Sequence, residues 1–200
     1  MRNSTRLFLA VALVALAGCS TGVSDDPTAP TETLASPDAA LDTDFEPAGR
    51  VAARVTAVVD GDTIDVRLAN GTTETIRLLG IDTPEVHVEN EPAEFEGVPD
   101  TDAGRTCLRN AGEQASARVE SRLAGENVTL LFDSVSDRRG GYGRLLAYVS
   151  HRGTNVNAAL VADGSARVYD AAFALRAQFE DAESRARADG DGLWRCQSPA

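Results

Sequence analysis

The stretch Ile76-Arg77-Leu78-Leu79-Gly80-Ile81-Asp82-Thr83-Pro84-Glu85 gathers an arginine, two acids and a proline at the end of an apolar run. Pro84 holds Thr83 extended, because its ring clashes with a helical conformation in the residue before it. The Asp82 carboxylate, the Thr83 carbonyl and the Glu85 carboxylate then project from a stiff backbone. Such an all-oxygen set suits a hard cation, Ca²⁺ in particular. Arg77, five residues before Asp82, supplies a planar positive fork matched to phosphate. Two other stretches carry related residue types: Asp60-Gly61-Asp62-Thr63 upstream, and Tyr142-Gly143-Arg144-Leu145-Leu146-Ala147-Tyr148 downstream.

Strands are needed to present these groups. Val51, Ala53, Val55, Ala57 and Val59 alternate with other residues, which predicts a half-buried strand. Ile64, Val66 and Leu68 repeat the pattern, Asn70-Gly71 signals a hairpin turn, and residues 72–79 return as a third strand. Gly80 allows a bend where that strand ends. A three-strand meander of this kind opens an OB-type barrel, and residues 127–132 and 144–150 supply the last two strands. Ala111, Ala115, Val119 and Leu123 recur every four residues on a predicted helix. Asn155 is placed to cap a short helix ending at Gly164. Leu175, Phe179, Ala182 and Ala186 mark an amphipathic helix that stops near Gly190, after which Trp194 is expected to dock on the barrel. The expected fold class is α+β: a five-stranded OB-fold β-barrel with about three packed helices. Residues 86–106 form an acidic stretch without periodicity, expected to be a long functional loop.

An acidic loop, an arginine strand and a second arginine, in that order, resemble the staphylococcal nuclease (thermonuclease) family over residues 49–194. The resemblance implies phosphodiester hydrolysis of DNA and RNA. That reaction needs an activated water, stabilised charge on the phosphoryl oxygens and help for the leaving oxygen. By the resemblance, Asp62 and Asp82 bind Ca²⁺ through their carboxylates and Thr83 through its backbone carbonyl. Glu85 holds or deprotonates the attacking water, while Arg77 and Arg144 clamp the phosphate. Tyr142 resembles a residue that contacts the substrate phosphate. Tyr169 is either a stacking face for a base or a core aromatic. The family often has a lysine before that first tyrosine; Gly141 stands here, and Arg138 or Arg139 is expected to take its place. A non-catalytic OB module that binds nucleic acid is the alternative, and an acidic surface lipoprotein that buffers calcium is a third reading. The first alternative predicts loss of the acids or arginines, all of which are present.

Outside this domain the chain reads differently. Arg2 and Arg6 precede an apolar run at residues 7–17 that is too short to span a bilayer, and Leu16-Ala17-Gly18-Cys19 resembles a bacterial lipobox. Residues 1–18 are therefore expected to be a lipoprotein signal peptide, with Cys19 as the lipidated end that anchors the exported protein to the outer face of the membrane. Residues 19–48 are rich in Thr, Pro and Ala and are expected to form a disordered tether; residues 49–197 form the folded domain, expected to be monomeric. The two remaining cysteines, Cys107 and Cys196, point to a disulfide in an exported domain. A two-cysteine metal site is the weaker alternative, since His87 and His151 have no ligand-like spacing to them.

The chain has 19 basic residues, all arginine, against 31 acids, for a net charge of −12. Phosphate binding ordinarily favours a basic footprint, so affinity has to come from local arginines, the cation and stacking rather than from the overall field. An acidic surface without lysine fits a salt-loving source. At low salt it repels a nucleic acid and strains its own fold, whereas at 1 M salt screening shortens to about 3 Å and removes both penalties. Nuclease rate and thermal midpoint are both expected to rise as KCl increases toward molar at saturating Ca²⁺. A rate that falls steadily from the lowest salt, with an unmoved midpoint, would count against this reading.

Overall fold

Two hairpins and one parallel pairing close the sheet. The computed structural model describes residues 45–198, so Cys19, the signal segment and nearly all of the tether lie outside the described residues. Strand β1 (Gly49–Val58) pairs antiparallel with β2 (Thr63–Leu68), and β2 with β3 (Thr73–Leu78). The β2–β3 turn uses Gly71 at φ +86°, a conformation open to glycine at little cost, and Asn70 Oδ1 accepts from the Thr72 N–H at 3.0 Å. Strand β4 (Ile81–Asp82) follows Gly80, and helix α1 (Asp102–Leu123) leads to β5 (Asn127–Phe132), which returns along the other edge of β1. Strand β6 (Leu145–His151) then pairs antiparallel with β5 and parallel with β3, closing a five-stranded mixed barrel. The short strand β7 (Thr154–Asn155) extends β6. Helix α2 (Val156–Ala162), strand β8 (Arg167–Val168) and helix α3 (Arg176–Asp189) complete the order, and β8 pairs with β4 in a separate small sheet. This is the α+β OB-fold architecture expected from the sequence.

The core follows the alternation of the strands. Val55, Ile64, Val66, Ile76, Leu78, Leu130 and Ala147 fill the barrel, with Phe179 of α3 and Val119 and Leu123 of α1 packed on it. Asn155 caps α2 through its side chain, accepting from the Asn157 and Ala158 N–H groups. Asn157 is fully buried and closes a polar gap, donating to the Leu79 and Ala147 carbonyls and accepting from Val149 N–H. Among the described residues no helix is long and apolar enough to cross a membrane.

Several local expectations change. The β1 alternation breaks at a bulge between Val55 and Ala57, so Ala57 and Val59 face solvent. The acidic loop is shorter than expected at its far end. Helix α1 begins at Asp102, where Thr101 Oγ1 accepts from the Gly104 N–H. The buried stripe of α1 runs through Leu108 and Gly112 rather than Ala111. Trp194 does not dock on the barrel. It joins a second core with Phe95, Val98, Leu108, Ala186 and Leu193, under the acidic loop and beside α1 and α3. Phe45 packs edge-on against Tyr148 with ring centroids 5.2 Å apart, so the folded part starts before Gly49. A Cys107–Cys196 disulfide, with Cα atoms 5.5 Å apart, staples α1 to the C-terminal segment. Closing a loop of 89 residues is worth roughly 4–5 kcal/mol in the chain-entropy account.

Asp133, at the end of β5, ties the barrel to the approach of α3. Its carboxylate accepts from Tyr148 Oη at 2.5 Å, Val135 N at 2.6 Å, Ala174 N at 2.8 Å and Ser136 N at 3.1 Å. Burial by itself raises such a carboxyl, but these four donors outweigh it and hold Asp133 below the ordinary range. A depressed folded-state pKa gives stability that is complete above the unfolded value, near 3.9, and is lost as pH falls through the folded value. Asp133→Asn is therefore expected to lower the thermal midpoint at neutral pH by the equivalent of about 1–3 kcal/mol, since an amide nitrogen now faces an N–H or O–H donor. The gap to wild type should narrow below about pH 4. A gap that stays constant from pH 7 to pH 3 would show that the ionised carboxylate is not the stabilising species.

Candidate active site

Three chain segments meet at one edge of the barrel. The β1–β2 turn brings Asp60 and Asp62, the end of β3 and the start of β4 bring Arg77 and Asp82, and the turn before β6 brings Arg144. Two glycines let the backbones come this close. A Cβ on Gly61 would lie 2.8 Å from Thr83 Oγ1 and 3.0 Å from Ala115 of α1. One on Gly112 would lie 2.3 Å from the Pro84 carbonyl oxygen. The acidic turn, the Thr83-Pro84-Glu85 segment and α1 are thus in mutual contact.

Asp62 is 5% exposed. Its Oδ2 accepts from Thr83 N at 2.9 Å and from Thr83 Oγ1 at 3.2 Å, and its Oδ1 accepts from Thr63 Oγ1 at 3.0 Å. Arg77 bridges two acids: Nη1 lies 2.6 Å from Asp62 Oδ2 as an ion pair without hydrogen-bond alignment, and Nη2 donates to Asp82 Oδ1 at 2.6 Å. Arg167 Nη2 takes the other oxygen of Asp82 at 2.8 Å. Thr63 stands opposite Arg77 in the β2–β3 ladder; its hydroxyl accepts from Arg144 Nη1 at 3.3 Å and donates to Asp62, which in turn pairs with Arg77.

The acids crowd one another. Burial raises the Asp62 carboxyl above the ordinary range; Arg77 opposes this, while Asp60 and Asp82 add to it. Glu85 is raised by partial burial first, then by Asp60 and Asp82, against Arg77. Its main chain is clamped by the buried Asn90, whose Oδ1 accepts from Glu85 N at 2.7 Å and whose Nδ2 donates to Glu85 O at 2.8 Å. Among the described residues no three His, Cys, Asp or Glu side chains form a metal-holding group. Asp62 and Asp82 are two carboxylates beside the Thr83 main chain, all hard oxygens, with Asp60 and Glu85 near them. That donor set fits Ca²⁺.

The other expected residues divide. Tyr142 is 91% exposed, 5.7 Å from the Arg144 guanidinium, and Tyr169 is 48% exposed, which places it on the surface and not in the core. Arg139 is held by Glu74 at 2.9 and 3.0 Å and by the Gly143 carbonyl at 2.6 Å, so it braces the Tyr142 turn. Arg138 lies over the Phe132 ring. His87 contacts the Val59 carbonyl, next to Asp60 in the chain, and His151 contacts Glu126. Sequence reasoning missed Arg167 and Asn90. Arg167 sits between apolar residues Ala166 and Val168, a faint strand signal, while nothing local marks Asn90. Asp60, which stands in the acidic turn but was given no role from the sequence, acts through its charge on both Asp62 and Glu85.

Fold and site together define an OB-fold protein that holds arginine forks beside a hard-oxygen acidic cluster. A family model described as "Staphylococcal nuclease homologue" matches residues 75–196, and the chain belongs to that family. An uncharacterized protein of Methanocaldococcus jannaschii is 39% identical over 148 residues, covering 70% of each chain. Endonuclease YncB of Bacillus subtilis is 36% identical over 139 residues, 68% of this chain and 58% of that protein, so the chain spans less than two thirds of that relative. Thermonuclease of Staphylococcus hyicus is 29% identical over 143 residues, 70% of this chain and 74% of the relative. The family match begins after Asp62, which is placed in the site by Leu78 N–H donating to its carbonyl at 2.8 Å and by Thr83 donating to its carboxylate.

The Gly112 contact is open to direct measurement. Gly112→Ala forces α1 away from Pro84, an overpacking that costs about 1–3 kcal/mol, and it displaces the residue next to Glu85. The thermal midpoint should fall, and so should any nuclease rate of the wild-type chain. A wild-type midpoint and rate would show that the close approach of α1 has no part in holding Glu85.

Proposed function

We propose that the chain is an exported nuclease, anchored through a lipidated Cys19, that hydrolyses phosphodiester bonds of DNA and RNA as a monomer in the presence of Ca²⁺. The observation that carries this reading is the convergence of Asp62, Arg77, Asp82, Thr83, Glu85 and Arg144 from distant segments onto one edge of the barrel. Asp62 and Asp82 would hold Ca²⁺ through their carboxylates and Thr83 through its carbonyl. When bound, the ion supplies positive charge to the phosphoryl oxygens.

The remaining work falls to the side chains. Glu85, with its carboxyl raised by burial and by neighbouring acids, is a stronger base than an ordinary glutamate and takes the proton of the attacking water. Asn90 keeps its backbone in place during that transfer. Among the described residues Arg144 makes one hydrogen bond, at 3.3 Å to Thr63, which leaves the rest of its fork for phosphate. Arg77 gives up its carboxylate contacts to grip a second phosphoryl oxygen, where charge builds in the transition state. Tyr142 and Tyr169 offer exposed rings at the two ends of the site for phosphate contact and base stacking.

The test is digestion of single-stranded DNA and of RNA by the purified mature chain, with Ca²⁺ and with EDTA. Cleavage should require Ca²⁺ and stop in EDTA, because the expected ligands are all oxygen. Mg²⁺, with its stricter octahedral demand, should support much less turnover. Full cleavage in EDTA would overturn the calcium dependence. Binding without cleavage under every condition would favour a non-catalytic OB module.

A further inference from the structure

We propose that Arg167 is a positioning residue that fixes which oxygen of Asp82 faces the cation, an inference that rests on the calcium reading above. Arg167 and Asp82 stand opposite each other in the β4–β8 pairing, and Tyr169 N–H donates to the Gly80 carbonyl at 2.9 Å to continue that ladder. The backbone therefore delivers Arg167 to Asp82 independently of the barrel. Its Nη2 holds Asp82 Oδ2 at 2.8 Å, while Oδ1 accepts from Arg77 Nη2 at 2.6 Å on the side of the site where Arg77 also pairs with Asp62. Both side chains are largely shielded, at 18% and 15% exposure.

The guanidinium is held from its other sides as well. It lies 5.3 Å from the centre of the buried Phe95 ring and 6.0 Å from that of Tyr169, distances suited to cation–π contact. Its Nε is buried with no hydrogen-bond partner among the described residues. The side chain thus stays on Asp82 although one of its own donors goes unmatched. With Oδ2 held in this way, Oδ1 is the oxygen left to an ion once Arg77 turns from it to phosphate. Outer partners of this kind orient metal-binding carboxylates, and their loss typically weakens metal affinity by about 10–100-fold.

Electrostatics gives the test its sign. A cation one carboxylate away from a Ca²⁺ site opposes the ion, so removing a mere bystander arginine tightens binding. Removing an arginine that orients Asp82 weakens it. Ca²⁺ titration calorimetry on the mature chain, with Arg167→Gln and Arg167→Lys beside wild type, separates the two. Circular dichroism and the thermal midpoint in EDTA report the fold. Arg167→Gln is expected to raise the Ca²⁺ Kd about tenfold or more, with Arg167→Lys between it and wild type. An unchanged or lower Kd in Arg167→Gln overturns the proposal, whatever happens to the midpoint. If Arg167→Gln does not fold, Arg167→Lys decides: a raised Kd supports the role and a wild-type Kd overturns it. Absence of Ca²⁺ binding by wild type would overturn the calcium reading and this inference with it, whereas wild-type binding with an unmoved variant Kd overturns this inference alone.

Discussion

The site depends on the parallel pairing of β3 with β6. It sets Ile76 opposite Leu145, Arg77 opposite Leu146 and Leu78 opposite Ala147, and so closes the barrel. The same register sets Arg144, just before β6, near the strand that carries Arg77. Thr63 and Asp62 connect the two guanidinium groups, Thr63 accepting from Arg144 and Asp62 pairing with Arg77. Ile76, Leu78 and Ala147 are fully buried, so a slip of one residue would expose that apolar set and scatter the charged one.

Charge within the site is balanced locally. Asp62, Asp82 and Glu85 lie close together with Asp60, and the positive groups in direct contact with Asp62 and Asp82 are Arg77 and Arg167. Such buried pairs contribute little net stability, since desolvation cancels much of the attraction. Their value is geometric: each carboxylate oxygen has a set neighbour. For a chain with a net charge of −12, this local pairing gathers guanidinium groups at one edge of a protein whose overall field is negative.

The acidic loop is built into the fold and does not hang from it. Phe95 and Val98 anchor it in the second core, Arg109 donates to the Val86 and Val88 carbonyls, and Arg105 pairs with Glu89 and Asp100. The disulfide fixes the opposite wall of that core, where Cys196 packs with Trp194. Glu85 stands at the start of this loop, so the second core bears on the site through the backbone. A longer loop thus need not be a looser one.

The sequence by itself determined the barrel and the residue types at its edge. Alternation in β2 and β3, the Asn70-Gly71 turn and the caps of α2 and α3 are local signals, and local steric and hydrogen-bonding rules suffice to place them. Asp62, Arg77, Asp82, Thr83, Glu85 and Arg144 stood out because short motifs fix their neighbours along the chain. The tertiary structure alone decided who holds them. Arg167 reaches Asp82 from 85 positions away, Gly112 is buried because a carbonyl oxygen approaches it, and Trp194 leaves the barrel for a second core. None of these has a periodic or motif signature, since each arises where segments distant in sequence meet. The reason is physical: a chain's periodicity encodes which face is buried, but contacts between faces depend on how several elements pack at once.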